Sequence, residues 1–248
     1  MAQELNGQTQ VLSGTLRNVK VTNTTAEIFF SAGDREGMAA TGVAAAALGL
    51  SGAAAGMAAM SMEEMSEPVC QVSFDLDDKH VEALLWNWPF KEGNEVQVVV
   101  EPSLTGGYTG FAVLDARERI IVLYPHVSAG SWAHWKNVAL VSSMVSIALI
   151  VFAYIVMMAI MYIPGGVRGE EFYDSVKFLL IISPLPFLLF FIIGCRMGRR
   201  FTVFVKMAEP IFIALGWNDV KNISLRKTTK AKRKATDPPA MGDSYFRY

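Results

Sequence analysis

The sequence predicts an α+β membrane protein: an N-terminal small β-barrel or sandwich, OB-like ahead of SH3-like, then a two-helix transmembrane hairpin and a short cytoplasmic C-terminal segment. Three observations carry this. Residues 10–127 alternate apolar and polar side chains in short runs separated by turn residues, the period of half-buried strands. Two later runs, 138–163 and 178–195, contain no Asp, Glu, Lys or Arg. The formal net charge of −1 resolves along the chain into −8 for residues 1–136, −1 for 137–195 and +8 for 196–248. With 52% apolar and 18% charged residues among 248, the chain is not of the disordered class, which needs low hydrophobicity and high net charge.

Residues 1–9 form a polar tail without the basic stretch and apolar core of a signal peptide. Cys70 and Cys195 cannot make a disulfide framework and read as buried or membrane-edge thiols in a reducing compartment. Within 10–127, the runs VLSGTLRNVKVTN, TAEIFF, CQVSFDLDDKHVEALLW, EVQVVVEP and YTGFAVLDARERIIVLYP predict five or six strands. Asp77-Asp78, Pro89, Glu92-Gly93-Asn94 and Thr105-Gly106-Gly107 mark the turns between them. The domain is acidic, which argues against nucleic-acid binding whatever the fold. Asp75, Asp77 and Asp78 read as a solvated turn ahead of a cation site.

A 26-residue uncharged insertion, 37–62, interrupts the β domain with eleven Ala, five Gly and four Met. Its three aliphatics contribute only about 1–2 kcal/mol on the insertion scale, too little for a constitutive span. Gly42, Gly49, Gly52 and Gly56 put small residues on one helical side, the pattern that lets helices approach closely. A flexible or weakly helical loop is the leading expectation. A helix packed on the barrel or a partner comes next, then a segment that inserts in a membrane conditionally.

Residues 128–137 form an interfacial segment in which Trp132, His134 and Trp135 suit an aromatic belt. Residues 138–163 are the first span, because about 20 apolar residues cross the roughly 30 Å hydrocarbon core. Thirteen of its 26 residues are Ile, Leu, Val or Phe. Pro164-Gly165-Gly166 ends it and opens a loop, 164–177. The second span is 178–195, kinked by Pro184 and Pro186. Arg196, Arg199 and Arg200 flank it, Lys136 precedes the first span, and the loop has more acids than bases. The positive-inside rule therefore puts both termini in the cytoplasm.

Residues 196–225 form an apolar juxtamembrane segment, expected as a strand or short helix and then a second helix from Pro210 to near Gly216. It would lie at the interface or cover the β domain. Residues 226–248, with six Lys or Arg between 226 and 234, read as a basic disordered tail near an anionic leaflet.

No phosphate loop, HExxH, nucleophile elbow or CxxC pair is present, and His80, His126 and His134 are scattered. The expectation is no enzyme, no cofactor and no metal.

The stretches ERIIVLYPHVSAGSWAHWKN (118–137) and KMAEPIFIALGWNDVKNISL (206–225), with FDLDDK, PFKEGNEVQVV and the early Ala/Gly insertion, resemble a bacterial family of membrane proteins labelled type VI secretion system effectors. The likeness covers most of residues 11–225. It implies association with the contractile secretion apparatus and supplies no catalytic residues. An effector that acts on membranes without enzymatic chemistry is ranked first on that label. A resident inner-membrane immunity or accessory protein, whose cytoplasmic β domain binds a partner, is ranked second, although the clean positive-inside flanks favour it. The expected setting is the bacterial inner membrane, multi-pass, or the target-cell membrane for an effector. The expected partners are the lipid bilayer and a secretion-apparatus or toxin protein. A homo-oligomer is compatible with the chain, and nucleic acid is not expected.

Overall fold

The computed structural model describes residues 9–27, 66–103, 106–162 and 170–248. The insertion 37–62, with Gly42, Gly49, Gly52 and Gly56, lies outside the described residues, as does the first part of the loop after the first apolar helix.

Six strands come from the predicted β region: β1 (Gln10–Glu27), β2 (Ser66–Leu76), β3 (Lys79–Leu85), β4 (Glu95–Pro102), β5 (Tyr108–Asp115) and β6 (Ile120–Leu123). β1 pairs antiparallel with β2 and β4, β2 with β3, and β4 with β5. A parallel pairing of β3 with β5 closes these five into a barrel. β1 is long because it serves two neighbours. Gln10–Thr15 pairs with β4 and Leu16–Glu27 with β2. The change of partner needs a bend, supplied by a bulge between Arg17 and Lys20 and by Asn18 at φ 49°, since a bulge sharpens local twist. Asn18 Nδ2 donates to Asp75 at 2.8 Å, and the Val19 N–H donates to Glu92 at 2.9 Å, so the bulge is tied down on both sides.

β6 pairs with β5 outside the barrel, and β7 (Phe246–Arg247) from the C-terminus pairs with β6. This extension has a visible cause. Val98, Val100 and Val113 face the barrel interior with Val72, Phe74, Val81 and Leu85, and Val122 of β6 joins the same core. Their neighbours Val99, Phe111, Leu114, Ile121 and Leu123 are buried on the opposite face. Strands buried on both faces lose the apolar–polar alternation, which is why QVVV and IIVL read as continuous apolar runs.

The cover over that outer face is α4. The helices are α1 (Ser131–Tyr162), α2 (Glu170–Ile182), α3 (Pro184–Arg200), α4 (Thr202–Ala214) and α5 (Leu225–Lys232), with a 3-10 turn at Val220–Asn222. α4 buries Phe204, Met207, Ala208, Ile211 and Phe212, the spacing of one helical face. Each fully buried Phe or Ile there is worth about 1.5–3 kcal/mol over leaving it in water. The expected break at Pro210 is corrected: Pro210 sits inside one continuous helix. Tertiary packing of the apolar face outweighs the lost backbone bond, a cost of about 3 kcal/mol. The end near Gly216 is observed. Gly216 has φ +72°, and the Trp217 N–H donates to the Phe212 carbonyl at 3.0 Å, a left-handed C-terminal cap.

α1 and α2–α3 are long and apolar enough to cross a membrane. Their sides carry exposed Phe152, Ile155, Ile181, Leu185 and Ile192. α1 begins at Ser131, so the expected interfacial segment 128–137 is mostly the first turns of this helix. The second apolar run is divided at Ser183. Pro184 and Pro186 then fall in the opening turn of α3, where a missing N–H costs little. α1 and α3 pack closely through Gly194 and Gly198. A Cβ on Gly194 would collide with Ser142, and one on Gly198 would lie 2.7 Å from Val138 Cγ1. Ser146, fully buried, donates to the Ser142 carbonyl at 2.7 Å.

The basic tail is ordered, not disordered. α5 occupies Leu225–Lys232, and β7 follows after a turn-rich stretch. Arg247 anchors this region. Its guanidinium donates to Asp237 Oδ1 at 2.6 Å and Oδ2 at 3.3 Å, and to the Glu118 carbonyl at 2.9 Å. Its backbone N–H donates to Thr229 Oγ1 at 2.9 Å, and the Thr229 hydroxyl donates to the Arg247 carbonyl at 3.2 Å. A basic composition does not reveal which arginine has a carboxylate waiting in the fold.

The hydrogen bond from Arg247 holds the Asp237 carboxyl below its ordinary value, with the Lys234 N–H acting in the same direction. A depressed carboxyl stabilises the fold above its unfolded pKa, and that stability is lost as pH falls through the folded value. Asp237→Asn is therefore expected to lower Tm at pH 7. The gap to wild type should close as pH falls from about 4 downward. Arg247→Ala should destabilise more than Arg117→Ala, whose pairing with Glu95 is solvent-exposed. Thermal melts of the detergent-solubilised chain across pH measure all three.

Candidate functional site at the junction of barrel and hairpin

The chain passes between barrel and hairpin twice, once from β6 into α1 and once from α3 into α4. Both crossings meet at one place. The Leu225 N–H donates to the Ser128 carbonyl at 2.9 Å, and the Gly130 N–H donates to the Ile223 carbonyl at 3.0 Å. Gly130 is required by close approach: an added Cβ would lie 2.8 Å from the Lys221 carbonyl carbon and clash with the Val220 oxygen. From α4, Glu209 accepts the Ser131 N–H at 2.9 Å. A carboxylate there satisfies an orphan donor at the start of α1 and complements its dipole.

His134, one turn into α1, donates from Nε2 to the Gly198 carbonyl of α3 at 3.0 Å. This bond crosses the hairpin at the level of the Gly198–Val138 approach. His126 lies before α1 and is mostly buried. Its Nε2–H donates to Glu67 at 2.7 Å, joining the start of β2 to the junction. Its ring lies 4.6 Å from Trp86 and 5.4 Å from Phe204, centroid to centroid. Burial pushes the His126 imidazole below its usual value, and the nearby Arg226 charge acts the same way, against the opposing pull of Glu67. The neutral ring is favoured in this apolar setting.

A cavity of about 550 Å³ opens at this junction, between α1, α3 and the segment leading into α5. Its apolar lining comes from Val138, Val141 and Val145 of α1 and Phe190, Ile193 and Met197 of α3. Its polar lining comes from His126, Ser128, Asn137, Ser224, Arg226 and Lys227. The Arg226 guanidinium sits 5.7 Å from the Trp86 ring centroid, a cation–π distance. Among the described residues no acidic side chain lines the cavity. Phe190 also lines a second, smaller crevice of about 140 Å³ further along the α1–α3 seam, with Leu149, Tyr154 and Pro186.

The expected interface residues are not a single cluster. His134 is the most engaged of them. Trp135 lies beside it with rings 5.6 Å apart, whereas Trp132 points outward, 61% exposed. Arg196, Arg199 and Arg200 are exposed near the end of α3. Gly42, Gly49, Gly52 and Gly56 lie outside the described residues. The small-residue contact that is seen uses Gly194 and Gly198, a spacing of four inside the second apolar run, and that motif in GCRMG was a readable signal. Arg226 and Lys227 read as tail charges by composition, because nothing in the sequence marks them as lining a cavity.

For other candidate chemistry, Asp75 accepts from Asn18 and pairs with His80 at 2.8 Å, while Asp77 accepts the Thr15 N–H at 3.3 Å. Cys70 and Cys195 are free thiols. Among the described residues no group of three His, Cys, Asp or Glu side chains could hold a metal ion.

Gly130→Ala is expected to cost about 1–3 kcal/mol as overpacking strain, because backbone rather than a flexible side chain must move. A lower Tm, with faster proteolysis between residues 124 and 131, would register it. No family model matches the chain, and neither a curated protein nor a solved structure is significantly similar to it.

Proposed function

We propose that the protein is a two-span integral membrane protein of the type VI secretion setting, holding its barrel at the cytoplasmic face of the bilayer and working by binding rather than by catalysis. The observation that carries this is the pairing of two apolar helices with exposed sides and a barrel-docked helix, α4, that starts two residues after α3 ends. Exposed apolar faces of that length are costly in water and favourable in lipid. The docked α4 leaves little freedom between span and barrel, as suits a module presented to a partner at the membrane surface.

The basic residues Arg196, Arg199 and Arg200 at the barrel end of α3 support a cytoplasmic barrel with the loop after α1 on the opposite side. The order in which the strands close, β1–β2–β3–β5–β4–β1 with a parallel β3–β5 seam, supports an OB-type reading over an SH3-like one. The charge of −8 over residues 1–136 supports a protein partner over nucleic acid. The likeness of residues 118–137 and 206–225 to the secretion-associated family supports the setting. A resident immunity or accessory role follows best from these features.

Topology is tested by single cysteines in a chain carrying Cys70→Ser and Cys195→Ser. Asp174→Cys is expected to react with an impermeant maleimide in intact cells, and Lys232→Cys only after permeabilisation. The reverse pattern, or release of the protein from membranes by alkaline carbonate, overturns the reading.

The effector reading draws on the family label together with the Ala/Gly insertion. It makes a separate prediction: export of the chain to the periplasm should depolarise the inner membrane, as read by a potential-sensitive dye. Unchanged potential and growth would remove it.

A further inference from the structure

The cavity at the junction has two unlike ends. On the barrel side, Arg226 and Lys227 are exposed on α5 and line the cavity, and Asn137 and His134 belong to the same lining. Among the described residues neither cation is part of an ion pair, and no acidic side chain lines the cavity. The Arg226 guanidinium carbon lies 5.7 Å from the Trp86 ring centroid, and a guanidinium carries a planar fork of N–H donors that suits a phosphate. Towards the hairpin the lining is mostly apolar, and Phe190 is shared with the second crevice between α1 and α3. A cationic mouth leading into a linear apolar seam matches a ligand with an anionic head and a hydrocarbon chain.

We propose that this cavity binds one anionic phospholipid, its phosphate held by Arg226 and Lys227 and one acyl chain lying along the α1–α3 seam. The inference rests on the membrane-spanning reading above, under which the cationic mouth sits at headgroup level on the cytoplasmic side and the seam lies within the hydrocarbon. A soluble phosphate would satisfy the two cations and leave the apolar lining uncovered, so charge and apolar surface together select a lipid. The bound lipid would bridge α5, which belongs to the barrel body, and the hairpin. It therefore acts as a fourth tie at the junction beside Gly130, Glu209 and His134.

The test uses the full chain. Flotation with vesicles of phosphatidylcholine alone first asks whether the protein inserts, and failure there overturns the membrane reading itself. Native mass spectrometry from neutral detergent then compares added phosphatidylglycerol with phosphatidylcholine. One phosphatidylglycerol per chain is expected, with affinity reduced about 30-fold by Arg226→Ala with Lys227→Ala, since each basic residue contributes ~1 kcal/mol towards an anionic lipid surface. Lys230→Ala with Lys232→Ala, on the same helix but outside the cavity lining, should retain the lipid. Equal retention of the two lipids, or equal loss in both double variants, overturns the proposal as non-specific surface attraction. Displacement of the lipid by millimolar glycerol phosphate also overturns it, because the site would then be an anion site without a chain.

Discussion

The outer face of β4, β5 and β6 cannot be left in water, and the rest of the architecture follows from how it is covered. Val99, Phe111, Leu114, Ile121 and Leu123 point away from the barrel interior, and a barrel interior already filled by its own valines has no room for them. α4 is the element that solves this, and its position in the chain matters as much as its face. It begins at Thr202, immediately after α3 ends at Arg200, so covering the sheet also fixes the end of the apolar hairpin against the barrel. Glu209 on the same helix then reaches the first N–H of α1. One docking event thus positions both hairpin helices, and the cavity is the space left where they converge.

What could be read from sequence divides along physical lines. The two charge-free runs and the alternating strands are local periodic signals, and both appear as helices and strands close to where expected. Periodicity fails where burial is set by a distant element. QVVV is uninterrupted because α4, a hundred residues later, covers it, and Pro210 is tolerated because the face around it is buried. The segment 226–248 shows the same limit for charge. Six bases within nine residues describe a solvated tail by composition, yet Thr229 and Arg247 are buried in it and β7 completes the sheet. The carboxylate that makes this affordable, Asp237, lies in the same stretch, but the bond geometry joining it to Arg247 does not show in a linear pattern.

The candidate site was less legible than the fold. Aromatic and basic residues flanking a span are common, and the rule that selects Trp132, Trp135, Arg196, Arg199 and Arg200 concerns headgroup level rather than mutual contact. His134 proved different because the close approach allowed by Gly198 brings its carbonyl within reach. Arg226 and Lys227 entered the site through α5, whose position depends on the Leu225–Ser128 backbone bond and on β7. Neither was visible before the tertiary structure.

The α1–α3 seam explains why the candidate site lies at the junction and not at the hairpin's centre. In lipid, apolar side chains gain little by touching each other, so helix pairing relies on close packing and on satisfied polar groups. Gly194 and Gly198 supply the first, and Ser146, bonded within its own helix to the Ser142 carbonyl, supplies the second. Among the described residues no buried side-chain polar atom lacks a partner. Among the described residues this seam carries no charge or unpaired polar group, the feature that within a membrane would mark an ion pathway. Near the barrel the balance changes, since His134 must reach a backbone carbonyl, Glu209 must meet a helix N-terminus, and two cations face an opening without a counter-charge. The unbalanced charge lies where the apolar helices meet the polar domain, so a ligand that spans the same boundary is the one this arrangement can distinguish from others.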